Sequence, residues 1–386
     1  MARAATSVLL IILMGLVVLG LVLRESPPVP SWNPHLQGAS ASTVSGVRMD
    51  RSTWLSPEGN RVWILARIGI TSPREEAILI DLGNNQALGS ATGGIPLGWL
   101  GDTVVLFYSE GGRDPLLKKF ARKLGGNLSR RRFTCFYRID LASGESNLIA
   151  EVEVGVGMDF CALSPDRKNL VATWGPADCR ELTLSPGSEP KRVEEKYVWA
   201  PCFLENDRYL FVGETAIQSR KLGGAKSERF SQPLLREIRD AIKLKGTPSI
   251  EICGRIGNEA LVVDHVPDGN RDRLLKLDER TSLLREITGM RPSRTLPSFS
   301  SDGRYMVYQG NAFDRNNDTV FFQDIAEGSE AQVLVEGVSG QMYEADPVCL
   351  PGDRVLYIHR GTELRSLAVN EGEESASLHW PESILP

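Results

Sequence analysis

One short pattern recurs seven times along the chain, and such a recurrence restricts the fold more tightly than any composition can. Each copy holds one or two apolar residues, a polar turn, and then a run of apolar and β-branched residues. The clearest copies are Trp54-Leu55-Ser56-Pro57-Glu58-Gly59-Asn60-Arg61-Val62-Trp63-Ile64, Ala162-Leu163-Ser164-Pro165-Asp166-Arg167-Lys168-Asn169-Leu170-Val171 and Ser298-Phe299-Ser300-Ser301-Asp302-Gly303-Arg304-Tyr305-Met306-Val307-Tyr308. A second flavour, residues 201–211 and 347–357, superposes on itself without a gap, and weaker copies lie at 96–107 and 252–263. Counted from Pro57 through Leu100, Pro165, Glu205, Ile256, Ser301 and Pro351, the steps are 43, 65, 40, 51, 45 and 50 residues. A unit of that length has room for four strands but not for a core of its own, so it must stack on its neighbours. Ser-Pro-Asp/Glu-Gly is a turn signature, and the residues after it suit a pleated, half-buried surface. A second hairpin follows in most units, with strands expected over Glu76–Leu82, Phe133–Leu141, Ile217–Leu222, Arg273–Leu277 and Thr319–Ile325. The pattern predicts an all-β propeller of seven four-stranded blades, with six or eight as alternatives, over residues 47–370. Thr43–Met49 is placed to complete the last blade and so remove the free edges.

The Ser-Pro-Asp-Gly-type turn, the run Asp268-Gly269-Asn270-Arg271-Asp272 and a strand ending in Asp278 together resemble the repeat of TolB-type, WD-like propellers. That resemblance covers roughly residues 47–370 and implies the fold. Such propellers serve as scaffolds, enzyme caps and enzymes alike, so it does not imply an activity. TolB's separate N-terminal domain has no counterpart in the sequence, and too little chain remains for the hydrolase domain of the related prolyl oligopeptidases.

Residues 4–23 carry no charge and are almost purely aliphatic from Val8 onward. As a helix they would cover about 30 Å, the thickness of a bilayer core. The run ends Leu21-Val22-Leu23-Arg24-Glu25 without a small-residue cleavage site, which favours a retained single-pass anchor at 1–24 over a cleaved signal. Arg3 before the run places the N-terminus in the cytoplasm and the propeller on the periplasmic or extracellular side. Residues 25–46, with Pro27, Pro28, Pro30 and Pro34, read as an extended Pro/Ser-rich spacer, and 371–386 as an acidic tail. Six cysteines in an oxidising compartment permit disulfides, but most fall in apolar strand patterns where buried thiols are the default.

Two units are interrupted by amphipathic stretches with helix start and stop signals, around 114–126 and 231–246. Residues 109–132 hold eight basic and two acidic side chains, and residues 216–246 eight and three, so balances of +6 and +5 stand against a whole-chain net charge of −5. One insertion falls between the second and third strands of its blade, the other between the fourth strand and the next blade, and in an up-and-down blade both outlets lie on one face. Lys118, Lys119, Phe120, Arg122, Lys123, Arg236, Arg239 and Lys243 are the candidate partner-binding residues there. The partner expected is an envelope protein, with anionic lipid or an envelope polymer as the other attraction. The acidic average gives no reason to expect nucleic acid.

Signatures of common chemistries are missing: no G-x-S-x-G, P-loop or H-E-x-x-H occurs, and of four histidines only His265 and His359 could converge. Asp268, Asn270 and Asp272, like Asp314, Asn316 and Asp318, have calcium-like spacing but lack an EF-hand's closing Glu, so they are weak calcium ligands and otherwise no cofactor is expected. The leading expectation is a non-enzymatic membrane-anchored scaffold. A hydrolase-type enzyme with an acidic site at the propeller mouth, acting on a glycan or peptide, is the alternative.

Overall fold

A computed structural model describes residues 27–34, 44–48, 54–68, 74–84, 86–112, 132–231, 233, 250–256, 259–265, 272–278, 281–291, 296–311, 318–325, 330–336, 347–359, 363–369 and 374–378. Strand β1 (Ser31–Asn33) precedes the blades. Blade 1 contains β2 (Val44–Arg48), β3 (Arg61–Ile68), β4 (Arg74–Asp81) and β5 (Gln86–Thr92), and blade 2 contains β6 (Ile95–Trp99), β7 (Val104–Gly112), β8 (Arg132–Asp140) and β9 (Ser146–Val154). Blade 3 is β10 (Phe160–Leu163), β11 (Asn169–Thr173), β12 (Cys179–Thr183) and β13 (Lys191–Arg192); blade 4 is β14 (Trp199–Glu205), β15 (Arg208–Val212), β16 (Ile217–Lys221) and β17 (Glu228–Arg229). Blade 5 follows as β18 (Ile250–Ile256), β19 (Glu259–Asp264), β20 (Asp272–Asp278) and β21 (Leu284–Met290), and blade 6 as β22 (Ser298–Phe299), β23 (Tyr305–Asn311), β24 (Asp318–Asp324) and β25 (Gln332–Glu336). Blade 7 is β26 (Val348–Leu350), β27 (Arg354–His359), β28 (Glu363–Ala368) and β29 (Glu374–Leu378). Within every blade consecutive strands pair antiparallel, giving seven meanders. The chain is thus a seven-bladed propeller, and each of the seven turns read from the sequence joins the first strand of a blade to its second.

Blades are held to one another by apolar side chains. Alternate residues of β3 and β4, Val62, Ile64, Ile78 and Ile80, meet Val348, Leu356 and Leu364 of blade 7, while Trp63, Leu65 and Leu79 point the other way onto Val105, Phe107 and Ile139 of blade 2. This is the period of two that fully buried strands require.

Ring closure differs from the expectation. Val44–Arg48 does not enter blade 7 but pairs with β3 of blade 1, Val44 opposite Ile68 and Arg48 opposite Leu65. The outer edge of blade 7 is occupied instead by β29, which belongs to the stretch read as an acidic tail. Among the described residues, first and last blades share no strand pairing and meet through side chains.

The repeated turn has a repeated chemistry. Ser164 Oγ donates to Asp166 Oδ1 at 2.7 Å and accepts from the Asn169 amide at 2.9 Å; Ser300 does the same with Asp302 at 2.6 Å and the Tyr305 amide at 3.1 Å. The serine hydrogen bonds hold both carboxyls below their ordinary value. In blade 1 Ser56 accepts from the Arg61 amide at 3.0 Å. Ser164 is 2% exposed, so Ser164→Ala strands a strand-start amide and should cost about 1–2 kcal/mol. Urea unfolding of the variant checks this, and a midpoint equal to that of the parent would refute it.

Candidate functional site

Second strands and fourth strands end on the same face of the propeller, which also carries the links between blades. Both sequence-predicted insertions leave from it: β7 ends at Gly112 and β8 begins at Arg132, while β17 ends at Arg229 and β18 begins at Ile250. The insertions themselves, and with them Lys118, Lys119, Phe120, Arg122, Lys123, Arg236, Arg239 and Lys243, lie outside the described residues. Part of the charge assigned to the second one belongs elsewhere. Arg220 is buried in an ion network between blades 3 and 4, and Lys221 pairs with Asp207 at 3.2 Å by the turns of the opposite face. Over 113–131 the balance is still +6, whereas over 234–249 it is +2.

Residues 27–34 are packed on the body, in contrast to the spacer expected there. β1 pairs with the outer edge of β5, Ser31 opposite Thr92 and Asn33 opposite Ser90, making blade 1 five-stranded. Trp32 inserts between blades 1 and 2, edge-on to Trp63 at 5.6 Å, and its Nε1 donates to the Leu141 carbonyl at 3.1 Å. Glycines make the room. A Cβ on Gly89 would lie 2.3 Å from Trp32 Cη2, one on Gly94 2.8 Å from Pro30, and one on Gly111 2.8 Å from Pro27. The described chain thus enters at the end of β7, on the face of the insertions, and climbs the side of blade 1. Proline was legible in this strap as stiffness. What it packs against was not, since Gly89, Gly94 and Gly111 carry no local sign of a partner some sixty to eighty residues away.

On the same face, blade 5 bears a charged rim. Asp264 ends β19 and pairs with Arg273; His265 Nδ1 lies 3.0 Å from Asp272 Oδ2. Burial pulls the His265 pKa down, but the Asp272 hydrogen bond and charge, helped by Glu251 and Asp264, outweigh it and leave it raised. Asp272, proposed from spacing as a calcium ligand, is 4% exposed and its carboxylate faces this histidine. Asp268, Asn270, Asp314 and Asn316 lie outside the described residues, as does the Asp318 side chain. Among the described residues no group of three or more His, Cys, Asp or Glu is placed to hold a metal ion.

Along the axis, the first strands of blades 3 to 6 and Pro347 at the start of blade 7 line a half-open cavity of about 270 Å³. Its described lining is apolar, including Phe160 and Phe203, except for Ser298 and three thiols: Cys161, Cys202 and Cys253, one from each of three successive blades. Each falls three or four residues before its unit's turn residue (Pro165, Glu205 or Ile256), a shared place the sequence displays but apolar patterning hides. Burial, with Cys202 nearby, pushes the Cys253 thiol far up, and its Sγ donates to the Leu261 carbonyl at 3.3 Å. A thiol held protonated in this way is a poor nucleophile and a poor metal ligand. Ala200, in the same wall, sits at φ 45° where β14 breaks register, a conformation that costs a residue with a Cβ about 1–3 kcal/mol. No disulfide joins any of the six cysteines.

No family model matches the chain, and no curated protein matches it. Solved structures do. An oligogalacturonate lyase in complex with manganese is 13% identical over 86% of this chain and 93% of its own, with a TM-score of 0.56. The β-propeller domain of the Trilobed protease from Pyrococcus furiosus, described as having an open velcro topology, is 11% identical over 88% and 98%, with a TM-score of 0.54. A prolyl endopeptidase gives 12% identity over 87% of this chain and 50% of its own, with a TM-score of 0.53. At these identities the likeness is one of fold, and the fold is the seven-bladed propeller that the repeats imply.

Proposed function

We propose that the protein is a membrane-anchored, non-enzymatic scaffold that binds a protein of the cell envelope. Residues 4–23 hold it in the membrane with the propeller on the exported side. Lys118, Lys119, Phe120, Arg122, Lys123, Arg236, Arg239 and Lys243 supply the contact. The observation that carries this reading is the shared outlet: both basic stretches join the propeller on one face, although 117 residues of sequence lie between Arg132 and Ile250. The cavity lining, apolar with a protonated thiol, also suits a structural axis better than an acid/base site. Affinity capture from native membranes tests it, comparing wild type with a variant carrying Gln at Lys118, Lys119, Arg122, Lys123, Arg236, Arg239 and Lys243. A protein retained by wild type and lost by the folded variant is the expected result; the same set captured by both refutes the assignment.

One observation favours the alternative of a hydrolase-type enzyme with an acidic site, namely the His265–Asp272 pair on the rim beside Asp264. Turnover of glycan or peptide substrates that disappears in Asp272→Asn would replace the scaffold reading with this one.

A further inference from the structure

We infer that the face carrying the insertions is the face that lies on the bilayer, so that its neighbour is the lipid headgroup surface. This rests on residues 4–23 being a membrane anchor. Its own basis is the strap. Pro27 is wedged against Gly111 at the end of β7, where a Cβ would approach its Cγ and backbone nitrogen to 2.8 Å. The apolar run ends at Leu23. Four residue steps cover at most about 14 Å even fully extended, so the body cannot stand off from the membrane. The strap also chooses which side is near. Pro27 is on the face of the blade links, while the turns that join third to fourth strands, such as Gly187–Glu189 of blade 3, are a strand's length away, roughly 16 Å for the five residues of β12.

Two further observations agree with a lipid neighbour. Val29, in the strap, and Val156, in the link from blade 2 to blade 3, are 61% and 49% exposed and both sit on this face. The sequences that leave from it carry the +6 and +2 balances, the sign that anionic headgroups attract. A spacer of the same composition that was free of the body would set no orientation. Here Trp32 and the β1 pairing make strap and propeller one piece. The protein partner of the proposed function is then one that lies at the bilayer surface.

Photo-crosslinking of the full chain tests the orientation. p-Benzoylphenylalanine is placed at Val156 in one variant and at Glu189 in another; both side chains are solvent-exposed in the fold. Each variant is reconstituted in vesicles of mixed phosphatidylglycerol and phosphatidylcholine and irradiated, and adducts are read by mass spectrometry. The expected result is phospholipid attached at position 156 and none above background at 189. Equal labelling, labelling at 189 alone, or none at either overturns the orientation. An alkaline wash of the vesicles separates the two premises: protein that stays with the lipid without the expected adducts disproves only the orientation, and protein that is released disproves the anchor as well.

Discussion

Trp32→Ala is expected to destabilise the propeller by about 3–5 kcal/mol, the usual cost of emptying a buried indole site. The ring is 9% exposed, although it belongs to a three-residue strand at the edge of the sheet. It fills the space left by Gly89, meets Trp63, and satisfies the Leu141 carbonyl across the boundary between blades 1 and 2. Removing it therefore opens a cavity between two blades, strands an acceptor and loosens the strap together. Trp32→Phe separates these contributions, since it keeps most of the apolar volume and loses the hydrogen bond, worth about 1 kcal/mol. Denaturant unfolding of the two variants should rank wild type, Phe and Ala in that order. A Trp32→Ala variant within about 1 kcal/mol of wild type would show that the strap is a passive covering.

A comparably large loss is expected from Arg220→Met. Arg220 and Glu181 are 5% and 6% exposed and meet at 3.2 Å between the third strands of blades 3 and 4. Glu181 also accepts from Tyr209 Oη at 2.9 Å and from the Gly223 amide at 2.7 Å, and Arg220 donates to the Gly224 carbonyl and lies 3.6 Å from Glu195. Taking away the guanidinium leaves a buried carboxylate without its main counter-charge, for a cost of about 3–5 kcal/mol. Replacing both, as Glu181→Gln with Arg220→Met, should cost less than Arg220→Met alone, because the stranded charge is gone. A double variant as unstable as the sum of the singles would mean the two residues contribute independently.

Arg220 also shows where sequence reading fails. Its neighbours Lys221 and Lys226 made it look like part of a basic surface stretch, yet its side chain turns inward to a glutamate 39 residues earlier. Charge along a sequence reports what a segment carries and not which way a strand faces it. Asp272 is a similar case. Its spacing from Asp268 and Asn270 suggested a turn ligand, but Asp272 begins β20, opposite Met290, with its carboxylate on His265. The three channel thiols were visible as residues in strand patterns; that those strands are neighbours around the axis is a property of the closed ring.

The seven repeats, and in each the turn from the first strand of a blade to its second, were written in the sequence. Each depends on interactions within about five residues, such as Ser164 with Asp166 and Asn169, repeated at a period that leaves four strands per unit. Tertiary structure alone decided which blade Val44–Arg48 joins, that Glu374–Leu378 finishes the last one, and that residues 27–34 lock onto blades 1 and 2. Residues 31–33 cover an edge about sixty residues away in the chain, whereas Val44–Arg48 and Glu374–Leu378 pair with the strand next to them in sequence and compete there with other short strands for an open edge. A short strand of this kind could pair with any open edge, and only the packing of a complete ring, with room for an indole beside Gly89, selects one.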